Sequence, residues 1–236
     1  MQVDRIAELT TKINAAWIKT LNDITSKVEK AILESHQIIP EIAKKYNWFI
    51  EPSLKTVTFR QLLAAKQASE VDEILIKHYK NNAVRILADL KKDFPNRSDI
   101  FDEIFFAHNN GLYYLSCIAF MTQVDGVVYD TFKGKNYFQG DFFGTNRDAL
   151  IEINEESIKL YFLKQLFNDE LPIKLSFKKR NEMKIEHLNR HQILHGESTN
   201  FSSEINSLKA LSLLAAMAFS LKYFNDILST KKEEDV

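Results

Sequence analysis

The sequence predicts an all-α protein, a helical bundle preceded by a long helical N-terminal extension. Three observations carry this expectation. Only 6 glycines and 4 prolines stand among 236 residues, too few for the turns of a β fold. Apolar residues recur every three or four positions through most of the chain, which is the period of one helix face. The breakers that exist, Pro40, Pro52, the FPNRSD turn, the glycine-rich stretch and Pro172, divide the chain into helix-length pieces.

Residues 3 to 38 are expected as one amphipathic helix. Val3, Ile6, Leu9, Ile13, Trp17, Leu21, Ile24, Val28 and Ile32 form its stripe, with no glycine or proline before Pro40. Such a helix is on the order of 50 Å long, and it suits either a long core helix or a coiled-coil-like arm. PEIAKKYNWFIEPS continues it as a short helix with a break at Pro52. Helices follow over 56–66 and 70–92, the second with Val71, Ile74, Leu75, His78, Val84, Leu87 and Leu90 mostly along one face. FPNRSD is a turn, and Ser98 is the expected N-cap of DIFDEIFFAHNN. GLYYLSCIAFMTQVDGVVYDTF is apolar nearly all round, so it is expected as the central helix. Four of the six glycines lie between 126 and 144, and KGKNYFQGDFFGTN reads as a loop whose phenylalanines form a mobile flap or pin it to the core. RDALIEINEESIKLYFLKQLF is helical up to the Pro172 break, and IKLSFKKR is irregular or extended. Residues 181–195 read as helix ending at Gly196 in the C′ position. The last helix, SEINSLKALSLLAAMAFSLKYFNDIL, is capped by Ser202 or Ser203, and STKKEEDV is a charged, frayed tail.

The formal net charge of −1 provides no global field for nucleic acid or an anionic membrane. The single cysteine, Cys117, has no internal disulfide partner and lies in an apolar run, so a buried, inert thiol in a reducing compartment is expected. MQVDRIAELTTK carries no apolar signal region, and runs such as LYYLSCIAFM are too short for a bilayer. A cytoplasmic protein with no membrane partner is therefore expected.

The chemistry concentrates in NRHQILHG, residues 189–196, which holds two of the six histidines. His187, His191 and His195 are spaced four apart, a row that would suit zinc on one helix face. Glu186 and Glu197 do not continue the row and the cysteine is distant in sequence, so no metal is expected. Arg190 and His195 form R-x4-H, about 140° apart around an ideal helix. They converge on one phosphate only if the helix end bends or a second subunit completes the site. An imidazole titrating near neutrality can take a proton from a ribose 2′-hydroxyl. A permanently charged guanidinium forks onto phosphate oxygens. Glu197 is placed to pair with Arg190 at rest. Asn189 either positions the arginine or caps a neighbouring loop. Structural roles are expected of His108 and Asp125, with Asp125-Gly126 marking a helix end that faces the site. Lys174, Lys178, Lys179 and Arg180 form the densest basic run, either a solvated turn or a phosphate-guiding patch.

On a helix, and followed by EINSLKALSLLAAMAF, this segment resembles the HEPN superfamily, whose all-α bundles carry R-x4-6-H with a polar residue directly after the arginine. His191 stands in that place. AHNNGLYYLSCIAFMTQVDGVVYD and, upstream, YNWFIEPSL are similar to a group of uncharacterised bacterial proteins with this kind of C-terminus. The resemblance covers most of 46–225, and its superfamily motif covers 189–196. The first helix lies outside it, and the glycine-rich insertion lengthens the usual bundle.

The resemblance implies a HEPN-like bundle acting as a metal-independent endoribonuclease, in a toxin–antitoxin or phage-defence setting, with motif helices paired across a homodimer. Arg190 and His195 would be catalytic, with Asn189 and His191 supporting them and Lys178, Lys179 and Arg180 guiding phosphate. No cofactor is implied; the partners would be RNA, a second copy and an antitoxin or other protein. The expected organisation is a helical extension over 1–95, the bundle over 96–229 and a flexible tail over 230–236. The other expectation, from a different class, is a non-catalytic helical module that binds a nucleotide or a partner protein at the same groove.

Overall fold

The computed structural model describes residues 2–138, 158–168, 170–176, 178–179 and 188–234, with side chains placed from Trp17 to Phe224 within those spans. It is all-α, with no strand among the described residues. The helices are α1 (Gln2–His36), α2 (Ile38–Tyr46), α3 (Thr56–Ala64), α4 (Ala68–Asp93), α5 (Ser98–Asn109), α6 (Tyr113–Thr131), α7 (Ile158–Phe167), α8 (Arg190–Leu194) and α9 (Glu204–Glu234). Short 3-10 turns at Pro95–Arg97 and Pro172–Lys174 begin with prolines, whose missing N–H costs nothing at a helix start.

One hydrophobic cluster runs from Ile39 to Phe224 and takes in α2, α4, α5, α6, α7 and α9. Stretches on both sides of residue 95 therefore share one interior. The exception is α1, whose residues 17–31 are all exposed.

The central helix is α9, not the predicted α6. Every residue of α9 from Ser207 to Ala218 is buried, and its alanines and serines let neighbours approach on all sides. α6 instead exposes Tyr114, Leu115 and Tyr129. The window Glu204–Phe224 is long and apolar enough to cross a membrane by length and composition, and 78% of it is buried inside the protein. Its apolar character is thus accounted for by the core. α9 is capped as predicted by Ser203, whose Oγ accepts the Asn206 N–H at 3.2 Å. It continues to Glu234 through residues expected as tail, because Lys and Glu are good helix formers and no breaker intervenes.

Other differences have local causes. Ser98 is the first residue of α5 and makes no cap, since the 3-10 turn feeds directly into the helix. The buried face of α4 is Val71, Leu75, Tyr79, Ile86 and Leu90, while Val84 is 84% exposed. Gly126 does not end α6; the helix runs on to Thr131. A Cβ on Gly126 would lie 2.3 Å from Nη1 of Arg97, so the glycine opens a seat for that side chain. Arg97 crosses it to pair with both Asp130 oxygens at 2.7 and 2.9 Å.

The least expected element is the segment Asn47–Glu51. α2 stops because Asn47 adopts the left-handed conformation (φ 60°) and donates its N–H to the Ala43 carbonyl. The chain then passes through the core outside any helix, with Trp48, Phe49 and Ile50 almost wholly buried. A buried segment that is neither helix nor strand must satisfy its backbone by other means. Phe49 N–H donates to Ser212 Oγ of α9 at 3.1 Å, and the Phe49 carbonyl accepts from Tyr79 OH of α4. Gln165 of α7 accepts from Ile50 N–H and donates to Ile50 O, both at 2.8 Å.

Gln165→Leu keeps the volume but leaves both Ile50 groups unpaired in the core. The expected loss is about 3 kcal/mol, from roughly 1–3 kcal/mol per orphaned group. Val84→Ala, at an exposed site, is expected to stay within about 0.5 kcal/mol. Urea unfolding of the two variants checks the pair.

Candidate functional site

The motif does not end a long helix. Asn189 is extended (φ −127°, ψ 121°) and is the N-cap of α8, a helix of little more than one turn. Residues 180–187 lie outside the described residues, and with them His187 and Arg180. The backbone is extended at Asn189, so α8 carries only His191, with His195 at its C-cap; the expected place of His187 in the row lies outside the described residues. The physical reason is that tertiary bonds outweigh helix continuation here. Asn189 is buried; its Oδ1 accepts from Gln192 N–H at 3.1 Å, and its Nδ2 donates to Pro172 O (2.6 Å) and Leu175 O (3.0 Å). Asn189 thus caps its own helix and ties it to the Pro172 turn. One residue earlier, the Leu188 carbonyl accepts from Asn47 Nδ2 at 2.7 Å.

The other end is fixed as predicted. Gly196 takes φ +71°, with Glu197 N–H on Gln192 O (2.8 Å) and Gly196 N–H on Ile193 O (3.2 Å). That pair of bonds is a Schellman stop, which needs the left-handed residue at this place.

Between these anchors the side chains diverge. Arg190, 29% exposed at its side chain, turns towards α6 and donates from Nη2 to Asp125 Oδ2 at 3.4 Å. Its guanidinium lies 4.9 Å from the centre of the Phe138 ring. His191 and His195 lie together instead, with ring centroids 4.3 Å apart, and His195 is exposed at the C-cap. No hydrogen bond joins Arg190 to His195 among the described residues. The predicted partner of Arg190, Glu197, stands 3.8 Å from His191 Nε2. Asp125 lies within α6, and its carboxylate is the one that meets the arginine. Burial pushes the Asp125 carboxyl up, against the opposing effects of the Phe138 N–H at 3.1 Å and the Arg190 charge. A bond of 3.4 Å to a carboxylate so placed is long for a charge-assisted pair, so Arg190 is held loosely.

Lys178 and Lys179 are exposed, and Lys174 lies over the Tyr137 ring at 4.7 Å. Tyr137 is buried and bonds Leu166 O at 3.0 Å, so the start of the glycine-rich stretch is pinned; Phe142 and Phe143 lie outside the described residues. His108 is buried and joins α5 to α9 through Ser207 Oγ at 2.8 Å, and burial depresses its pKa, keeping it neutral. Cys117 is buried, and desolvation pushes its thiol up to about 12. Among the described residues no three His, Cys, Asp or Glu side chains gather in a way that could hold a metal ion.

A second polar cluster escaped the sequence. Glu51, buried at the end of the Asn47–Glu51 segment, accepts from His78 Nε2 (2.9 Å), Arg85 Nη2 (2.7 Å), Ser53 N–H (3.0 Å) and Ser53 Oγ. His78 and Arg85 are seven apart on α4, a visible same-face spacing, but nothing in the sequence tied them to residue 51. The cluster borders a cavity of about 790 Å³ lined by Ser53, Thr58, Lys77, His78 and Asn82, among others.

No protein-family model, no curated protein and no solved structure matches this chain.

Two predictions follow from these anchors. Asn189→Ala removes a helix cap and frees two carbonyls, an expected cost of about 2–4 kcal/mol; Asn189→Asp keeps the cap acceptor but sets a buried carboxylate against the Pro172 and Leu175 carbonyls, and should lose at least as much. Denaturant titration ranks the three proteins. For Glu51, burial alone would raise the carboxyl, but hydrogen bonds from His78 and Ser53 and the Arg85 charge outweigh it and hold the pKa below the ordinary 4.5. A depressed carboxylate stabilises the fold above 4.5, and that contribution is lost as pH falls through its folded value. Glu51→Gln should therefore weaken the protein at neutral pH and flatten the acid loss below 4.5, as read from unfolding midpoints across pH.

Proposed function

We propose that this chain is a metal-independent endoribonuclease built on a HEPN-like bundle, with Arg190 and His195 as its reacting groups. The observation that carries the reading is an accessible guanidinium and an exposed imidazole on a single helical turn locked at both ends, by Asn189 and by Gly196. Such locking holds catalytic groups without cost at the moment of reaction. His195 takes the proton of a ribose 2′-hydroxyl. The 2′-oxygen bonds to the adjacent phosphorus, the bond to the 5′-oxygen breaks, and that oxygen takes a proton from water while His195 returns its own to solvent. The products are a 2′,3′-cyclic phosphate and a 5′-hydroxyl. Arg190 leaves Asp125 for the phosphate oxygens, and His191 flanks the imidazole at 4.3 Å. The divergence of Arg190 and His195 within one copy favours a homodimer in which each phosphate meets Arg190 of one subunit and His195 of the other. Lys178 and Lys179, both exposed, are placed in this reading as phosphate guides. A toxin or phage-defence role in the cytoplasm, restrained by an antitoxin, is the setting this chemistry suits.

The second reading is a non-catalytic module that binds a nucleotide or a partner protein. It is favoured by the engagement of Arg190 with Asp125 and Phe138 and by the net charge of −1, since RNA binding commonly draws on many basic contacts.

Cleavage of total RNA separates them. His195→Ala should lower the rate about a hundred- to ten-thousandfold with affinity retained, and Arg190→Ala should abolish cleavage and weaken binding. EDTA should leave the activity unchanged. Thermal melts check folding. If wild type leaves RNA intact, or both variants cut at the wild-type rate, the binding-module reading stands.

A further inference from the structure

α1 leaves the body of the protein as an arm. Its base is clamped: Ser35 and His36 are buried, and the His36 ring lies 4.2 Å from Phe59 and 5.8 Å from Phe162. Above that base, residues 17–31 are all exposed. The exposed residues include Trp17 (63%), Ile18 (59%), Leu21 (56%), Ile24 (53%) and Val28 (50%). Isolated helices are marginal in water, and an amphipathic helix owes most of its stability to whatever covers its apolar face. The stripe of α1 is covered by nothing in its own chain among the described residues.

Charge narrows the occupant. Gln2–His36 carries five Lys or Arg and five Asp or Glu, so the arm is formally neutral. A neutral helix gains little from an anionic membrane or from nucleic acid, which reward a basic face. Two neutral arms that alternate Lys19, Asp23, Lys27, Glu29, Lys30 and Glu34 do not repel each other, and each offers both signs along the rim of the stripe. Area agrees. Five large apolar side chains, half or more exposed, present on the order of 500 Å² per arm, at the upper range of the patches a monomer shows to water. Two such stripes face to face bury about 1,000 Å², where specific interfaces begin. The same three-and-four spacing continues through Ile13, Leu9, Ile6 and Val3. The mean step along the stripe is close to the 3.6-residue turn, so the stripe stays on one side of an unsupercoiled helix.

We infer that α1 is a homotypic association element: the Trp17–Val28 stripe of one copy packs on the same stripe of a second copy. This does not rest on the ribonuclease reading, and it holds whether or not the motif of α8 has an activity.

The test uses the full chain. Light scattering at micromolar concentration should give wild type a mass at least twice 27.4 kDa, and Leu21→Asp with Ile24→Asp should halve it. Both positions are exposed and outside the core, so the thermal melt of the body should persist, while Val84→Asp, an exposed valine elsewhere, should leave the mass unchanged. Cys117 is buried with its thiol pushed up to about 12, so new cysteines report alone. Trp17→Cys, Leu21→Cys, Ile24→Cys and Val28→Cys, made one at a time, should yield an interchain disulfide under mild oxidation at one or more positions. A monomeric wild type, a mass that ignores the double aspartate variant, or no cross-link at any of the four positions overturns the inference and assigns the stripe to a different occupant.

Discussion

Much of this structure depends on one constraint: a non-helical segment, Asn47 to Glu51, runs through the interior of a helical bundle, where water cannot serve its backbone. Helices satisfy their own peptide groups, but an isolated non-helical segment does not. Side chains from three helices fill that need, Tyr79 from α4, Gln165 from α7 and Ser212 from α9. Each bond requires its helix at one depth and one rotation, so satisfying the segment also fixes how α4, α7 and α9 sit around it. Trp48 extends the same role, donating to Asp72 of α4 at 2.6 Å while Lys209 of α9 lies over its ring.

The motif inherits its position from this segment. Asn47 ends α2 with its backbone and reaches Leu188 with its side chain, so the residue that turns the chain into the core also places the entrance to α8. Asn189 then ties that entrance to the Pro172 turn. An exposed helix of five residues would fray alone; here buried asparagines hold one end and a left-handed glycine the other. The side chains between them stay accessible because only Ile193 of α8 is buried. Arg190 is restrained by a single long bond to Asp125 and by the face of Phe138.

Buried charge elsewhere follows one rule. Glu51 takes four hydrogen bonds, and Lys209, whose pKa burial lowers against the pull of Asp72, stays beside that carboxylate. Each charge is expensive to bury alone and tolerable only when matched. Both clusters sit where the Asn47–Glu51 segment meets α4.

The sequence by itself determined the helices, because periodicity and breakers are local: α3, α4, α5 and α6 end within about two residues of their expected bounds, as a 3.6-residue pattern permits. It also determined the Gly196 stop and the Ser203 cap, whose chemistry lies within four residues of the position concerned. Buried, inert Cys117 belongs with them. Tertiary structure decided what depended on distant partners. Asn189 interrupts the helix expected over 181–195 because its amide finds carbonyls 14 and 17 residues away. Arg190 meets Asp125 of α6, 65 residues away, and Glu197 stands near His191 instead. α9 is central where α6 was expected, since both are apolar and only packing ranks them. Helix spacing records which face a residue occupies; it holds no information on what stands opposite, and the functional geometry of this protein is set by what stands opposite.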